Sequence, residues 1–451
     1  MSLLIISLDV TIVNIALPAI GEELDAPLSG LQWTIDAYTL VLASLLVLAG
    51  STADRIGRRR VFQTGLALFT LGSLLCSVAP SLSWLIFFRM LQAVGGSMLN
   101  PVAMSIITNT FTEPKERARA IGVWGAVTGF SMALGPLAGG VLVHSFGWRS
   151  IFWINVPVGI AAFLLAWRFI PESRADHPRR LDPIGQVLVL TVLAAVTYAI
   201  IEGPAAGWTS AQTVSCFALG LAALGGLLWW EPRRAEPLIE LKFFRSAPFS
   251  GATLIAVCAF AALGGFLFLN TLYLQTERGL SALHAGLYTL PMAAMTVIAS
   301  PLSGRLVAAR GTRLPLTIAG TAMALGMLPL TVSGPDTPVW PLFLGYLLFG
   351  FGFGMVNTPI TNTAVSGMPR AQAGVAAAIA STSRQVGSAL GVAVIGAVVA
   401  SAASGASPTG GNAGWWILVA LGLAVLTLGR FSTGRWARST AEHGYAEKLP
   451  A

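Results

Sequence analysis

Long apolar runs alternate with short polar or turn-rich breaks along almost the whole chain. Fourteen such runs fall at about 2–20, 34–53, 61–79, 83–111, 119–142, 149–169, 184–202, 210–230, 248–274, 283–308, 314–333, 338–363, 373–401 and 413–430. Most are roughly 17 to 25 residues, the length at which a helix rising about 1.5 Å per residue crosses a hydrocarbon core of about 30 Å. The fourth, ninth, tenth and thirteenth are longer, so those helices tilt or extend beyond the bilayer. The pattern predicts an all-α membrane protein of fourteen spanning helices, grouped as six, two and six. It places a six-helix bundle at 1–170, two additional helices with cytoplasmic linkers at 171–246, a second six-helix bundle at 247–430 and a cytoplasmic tail at 431–451.

Composition agrees, with 55% hydrophobic and 10% charged residues in 451 and a mean hydropathy of +0.74, far above a soluble domain. The net charge of +8 changes little once its distribution is read. If the first helix leaves the cytoplasm, alternate loops and the tail hold the 27 lysines and arginines except Arg89, Arg149, Arg278 and Arg384. That is the positive-inside pattern, with both termini cytoplasmic in the cell inner membrane. Basic residues divided among many short loops argue against nucleic acid as a partner. Cys76, Cys216 and Cys258 are odd in number, lack ligand spacing and lie in apolar runs, so they read as packing residues and no metal site is expected. No Walker-type phosphate loop occurs, nor a nucleophile with a base, so neither an ATP-driven pump of that kind nor an enzyme is indicated, and no cofactor is expected. Only eight residues precede Asp9, which points to a start upstream of Met1.

The most informative stretch is Gly50-Ser51-Thr52-Ala53-Asp54-Arg55-Ile56-Gly57-Arg58-Arg59-Arg60, one acid and four arginines set between two apolar runs. It predicts a tight charged hinge at a membrane face. Gly304, Gly311 and Arg313 repeat the spacing of Gly50, Gly57 and Arg59 about 250 residues later, with Ala308 in the place of Asp54. The chain therefore reads as two related halves, as in many secondary transporters.

Ionisable residues inside spanning segments are costly and mark function by default. Asp9 lies about eleven residues, roughly 17 Å, from the outer end of its helix and so near the midplane. There, proton and substrate cation can compete for one carboxylate; the bland alternative is a packing residue or a permanent ion pair. Asp36 follows Trp33 and Thr34 near the outer start of the second helix, as a proton access point, a second cation contact, or merely a charge favourable to the helix dipole. Arg89 is deep enough to need a partner, and Asp9 or Asp36 could serve. Arg384 is a second intramembrane cation, without an evident partner in the sequence, and reads as structural. Gly125, Gly129, Gly135 and Gly139 let backbones approach closely and Pro136 bends the segment, which suits a moving helix. Asn14, Gln92, Asn270, Tyr273, Gln275 and Asn357 are candidate polar anchors of a largely apolar substrate cavity. Asp9 and Thr11 are about 200° apart on a helix and cannot share that cavity.

Four of these stretches together resemble the major facilitator superfamily, and within it the fourteen-helix drug:proton antiporter group. Gly50 to Arg60 resembles the superfamily's loop between helices two and three. Leu8-Asp9-Val10-Thr11-Ile12-Val13-Asn14-Ile15-Ala16-Leu17-Pro18 resembles the group's first-helix signature. Arg89-Met90-Leu91-Gln92 with Gly95 and Gly96 resembles the fourth-helix motif, and Gly125, Gly129, Gly135-Pro136 and Gly139-Gly140 the fifth-helix motif of exporters. Ala308 departs from the pattern and leaves the second hinge without its acid. The resemblance implies the major facilitator fold, two six-helix bundles with inverted repeats plus two central helices. It implies a functional monomer exchanging protons for hydrophobic, cationic small molecules by alternating access. In that scheme Asp9, Asp36 and Arg89 couple, Gly50, Asp54, Arg55, Gly57 and Arg58 gate, and helix five bends. An exporter of a specific neutral or anionic metabolite, or a receptor or scaffold that transports nothing, are the alternatives.

Overall fold

The computed structural model describes residues 1–111, 113–175, 181–234, 236–366, 373–402, 412–434, 436–437 and 439–440. Among the described residues fourteen long helices are found: α1 Ser2–Leu24, α2 Leu28–Ile56, α3 Arg58–Ser77, α4 Leu82–Thr110, α5 Pro114–Phe146, α6 Ser150–Phe169, α7 Pro183–Ala206, α8 Ala211–Trp230, α9 Ala247–Leu272, α10 Ala282–Arg310, α11 Arg313–Met327, α12 Val339–Ala364, α13 Ala373–Ala402 and α14 Ala413–Ser432. Among the described residues twelve are long and apolar enough to cross a membrane. Of the other two, α3 opens on three arginines and α5 contributes a shorter apolar stretch at Leu134–Phe146.

The helix ends follow from local chemistry. Gly57 at φ +129° separates α2 from α3, and Gly311 at φ +73° separates α10 from α11, so the two hinge copies break their helices with the same device, a conformation glycine adopts without strain. Pro114 opens α5 at the first turn, where its missing N–H costs nothing. Asp182 caps α7 by accepting from the Gly185 amide at 3.1 Å, ahead of Pro183. In α6 the helix is interrupted at Ile154, three residues before Pro157, which cannot donate to the Trp153 carbonyl.

The chain divides into two compact units, Met1–Leu224 with Thr271–Tyr288, and Gly225–Asn270 with Thr289–Ala451. In the first, α3 and α4 cross closely because neither Gly65 nor Gly72 has a side chain: a Cβ at Gly65 would lie 2.9 Å from the Gly95 carbonyl, and one at Gly72 would lie 2.7 Å from the Gln92 Cα. This contact presses Gln92 into the unit, and small-residue crossings of this kind are how membrane helices gain packing without a hydrophobic drive. Around it, Tyr38, Leu42, Leu66, Phe69, Leu99 and Ala162 form a sealed apolar core. Helix α7 packs along α2, where Gln186 donates to the Ser44 carbonyl at 2.5 Å and Glu202 accepts from the Trp33 indole at 2.8 Å. In the second unit α11 and α12 repeat the close crossing through Gly326 and Gly345. There α13 lies on α9, with Gly387 against Val257 and Gly391 against Ala261.

Candidate functional site

Five helices of the first unit bring polar side chains to one sealed point. Asp9 from α1 and Arg89 from α4 are 0% and 1% exposed. The Arg89 Nη1 donates to Asp9 Oδ2 at 2.5 Å and to Gln92 Oε1 at 2.7 Å, and its Nε donates to the Thr34 carbonyl of α2 at 3.2 Å. Asp9 Oδ1 accepts from Gln92 Nε2 at 2.9 Å and from Asn155 Nδ2 of α6 at 3.2 Å. Asn155 also donates to the Ser73 hydroxyl of α3 at 3.1 Å, and Ser73 donates to the Phe152 carbonyl at 2.9 Å. The guanidinium lies 4.2 Å from the centre of the Tyr38 ring. The carboxylate thus accepts three hydrogen bonds and the cation over it has an acid, an amide, a carbonyl and an aromatic face, the satisfaction that a buried ion pair needs to be tolerated.

Of the two acids that could have met Arg89, the geometry selects Asp9. Asp36 is also fully sealed, and among the described residues neither of its carboxylate oxygens has a hydrogen-bond partner. Asn155, Ser73 and Tyr38 are members of the cluster that the sequence reading did not single out. A lone asparagine in the apolar α6 was the one signal that could have found Asn155.

The hinge is latched by a segment the sequence did not suggest. Asp54 Oδ1 accepts from Arg58 Nη2 at 2.8 Å and Nε at 3.1 Å, a pair that spans Gly57. The partner of the loop is the chain just after α6. Glu172 accepts from the Arg59 amide at 3.0 Å and faces Arg60 Nε at 3.6 Å; the Arg58 amide donates to the Ser173 carbonyl at 2.9 Å and the Ala175 amide to the Asp54 carbonyl at 3.0 Å. A Cβ at Gly57 would stand 2.6 Å from the Glu172 carboxylate. Gly50 packs beside Pro101 of α4, and Arg55 is exposed.

Helix α5 meets α1 through its glycines. A Cβ at Gly135 would overlap the Thr11 hydroxyl and one at Gly139 would lie 2.8 Å from Ile12 Cγ1, so Thr11 faces α5 while Asp9 faces the polar cluster. The Pro136 carbonyl lies against Gly286 at the start of α10. The packing at Gly125 and Gly129 lies outside the described residues.

The candidate cavity residues are spread out. Gln92 belongs to the Asp9 cluster, Gln275 Nε2 donates to the Ile15 carbonyl at 2.9 Å, and Asn14 Nδ2 donates to the Val10 carbonyl at 2.9 Å. Tyr273 is buried, with the Arg278 guanidinium 5.9 Å from its ring. In the second unit, Asn270 accepts from the Tyr346 hydroxyl at 2.5 Å. Asn357 is half-buried on α12, one turn before Thr361.

The sequence profile of the Major Facilitator Superfamily matches residues 1–392. The multidrug resistance protein Stp of Mycobacterium tuberculosis is 39% identical over 403 residues, covering 89% of this chain and 74% of that protein. The tetracenomycin C resistance and export protein of Streptomyces glaucescens is 36% identical over 400 residues, covering 88% and 74%. Among solved structures, a bacterial homolog of the human lysosomal transporter Spinster aligns with a TM-score of 0.64 at 16% identity over 100% of this chain and 97% of that one. The human organic anion transporter MFSD10 aligns at 0.63 and 17% identity over 95% and 96%. These two structural likenesses speak for the fold.

Proposed function

Because the chain belongs to the major facilitator superfamily and is a multi-pass membrane transporter rather than an enzyme, we propose that it exports hydrophobic, cationic small molecules in exchange for protons by alternating access. Its relatives are bacterial resistance and export proteins, which supports a drug exporter. Proton coupling and the charge of the substrate are our reading, and the observation that carries it is the sealed Asp9–Arg89 pair.

An intramembrane ion pair that breaks and reforms gives a proton a place to sit. When Asp9 takes a proton the attraction to Arg89 falls, and when the pair reforms the proton is released. Inward proton movement supplies about 2.3 kcal/mol per charge per 100 mV, which can drive a substrate outward if one cycle carries both. Asp36, without a hydrogen-bond partner among the described residues, is the acid we assign to the substrate cation or to proton transfer toward the pair. The Asp54–Arg58 hinge, with Gly50, Gly57 and Arg55, gates one face, and α5 with Gly125, Gly129, Gly135, Pro136 and Gly139 bends between states. The basic loops support a cytoplasmic location for both termini, the working unit is a monomer in this reading, and 1–170 and 247–430 are the two moving bundles with 171–246 inserted between them.

The test is ethidium efflux from energised cells expressing wild type or Asp9→Asn at matched membrane levels, with and without a protonophore. Loss of efflux on both treatments is the expected result. Full efflux by Asp9→Asn removes Asp9 from the coupling, and protonophore-insensitive efflux by the wild type removes the proton.

A further inference from the structure

The second unit holds a cation that its own helices do not neutralise. Arg384 lies eleven residues after Ala373 in α13, about 17 Å along the axis of this 30-residue helix. No Asp or Glu occurs in Ala247–Leu272, Ala282–Arg310, Arg313–Met327, Val339–Ala364, Ala373–Ala402 or Ala413–Ser432. Among the described residues no carboxylate lies within ion-pair distance of Arg384, and its guanidinium has one hydrogen-bond acceptor, the Thr361 hydroxyl of α12 at 2.6 Å. Its Nε is buried without a partner. A guanidinium carries five donors, and leaving them unsatisfied inside a membrane protein is costly.

The surroundings join a sealed aromatic side to an open polar one. Arg384 is half-buried: its Nε is sealed while the Nη2 bond to Thr361 lies on the exposed side, and the guanidinium carbon sits 6.0 Å from the centre of the Phe260 ring of α9, itself packed edge-on against Phe353 of α12 at 5.2 Å. On the open side α12 presents polar groups. Thr361 and Asn362 are exposed, and Asn357 is half-buried one turn before Thr361. Arginine, threonine and asparagine side chains gathered within spanning helices face a bundle interior or water rather than lipid. The assembly is therefore an oriented cation with an aromatic wall and neutral polar neighbours.

We propose that Arg384, with Thr361 and the Phe260 ring, forms a substrate subsite for an organic carboxylate, the guanidinium taking the anion and the aromatic ring the apolar body beside it. A planar fork of N–H donors matches a carboxylate bidentately, and the missing counter-charge is then supplied by cargo. This rests on the reading of the chain as a small-molecule exporter and extends its cargo to molecules that carry an acidic group.

The experiment is equilibrium dialysis of 2-naphthoate and its neutral isostere 2-naphthamide against the purified full-length protein in nanodiscs. Wild type is expected to bind naphthoate at least tenfold more tightly than naphthamide. Arg384→Ala removes that preference while leaving naphthamide unchanged, Arg384→Lys keeps part of it, and Thr361→Val, which retains the charge, weakens naphthoate a few-fold. Equal binding of the two probes by the wild type, or an undiminished naphthoate preference in Arg384→Ala, overturns the subsite. Should Arg384→Ala lose its monodisperse elution, Arg384→Lys and Thr361→Val decide the matter, and naphthoate binding unaltered in both is the contrary result. The two readings fail separately, since ethidium efflux tests the exporter and naphthoate binding tests the subsite.

Discussion

The Arg89 guanidinium meets the Asp9 carboxylate at 2.5 Å with both side chains sealed from the surroundings, 80 residues apart in sequence. Removing one member of a buried pair leaves the other charged and desolvated, which costs about 3–5 kcal/mol. Asp9→Asn should therefore lower the melting temperature of the purified protein as well as abolish drug efflux. The double variant Asp9→Asn with Arg89→Gln should recover most of the stability and none of the efflux. Additive losses in melting temperature would mean that the two residues are not energetically coupled.

Asn155 holds Asp9 from α6, and hydrogen bonds to a charged group contribute about 1.5–3 kcal/mol. Asn155→Leu should destabilise the protein by an amount in that range and reduce proton-driven efflux several-fold. Asn155→Gln, which keeps the amide, should be the milder of the two. Efflux unchanged in Asn155→Leu, assayed in everted vesicles, would remove Asn155 from the coupling cluster.

Gly57 combines φ +129° with a Cβ position 2.6 Å from the Glu172 carboxylate. Gly57→Ala adds a strained backbone, about 1–3 kcal/mol, to that collision, and should impair transport at normal membrane expression. Glu172→Ala removes the acceptor of the Arg59 amide and should speed hydrogen exchange of that amide at least tenfold. Peptide-resolved exchange over 57–61 checks this, and unchanged protection there would show that Glu172 does not latch the hinge.

Gly135→Ala should cost about 1–3 kcal/mol by overpacking against the Thr11 hydroxyl. Thr11→Ala removes the hydroxyl, the nearest atom, and leaves only the Thr11 Cβ at 2.8 Å, so the pair Gly135→Ala with Thr11→Ala should be more stable than Gly135→Ala alone. Thermal unfolding of the three variants decides it, and no rescue would place the contact elsewhere.

Twelve of the helices were legible because the bilayer imposes a length and a composition on every segment that crosses it, and this leaves a mark in one dimension. The hinge copies were legible for a similar local reason: each breaks a helix at a glycine, Gly57 and Gly311, where positive φ excludes other side chains at little cost to glycine. Asp9, Asp36, Arg89 and Arg384 stood out because charge inside an apolar run is expensive.

What the sequence could not fix was which of these charges meet. Nothing local makes Arg89 choose Asp9 over Asp36, or leaves Arg384 beside Thr361 and Phe260. Those outcomes depend on how helices rotate and approach, set by glycine crossings such as Gly72 on Gln92. Asn155, Ser73 and Glu172 were missed for the same reason, since their roles exist only through α6 and the chain after it lying beside residues far away in sequence. Length and charge therefore determined that this is a membrane protein of many helices with costly intramembrane ions. Tertiary packing decided their partners, because hydrogen bonds and ion pairs act over a few ångströms that only a folded chain defines.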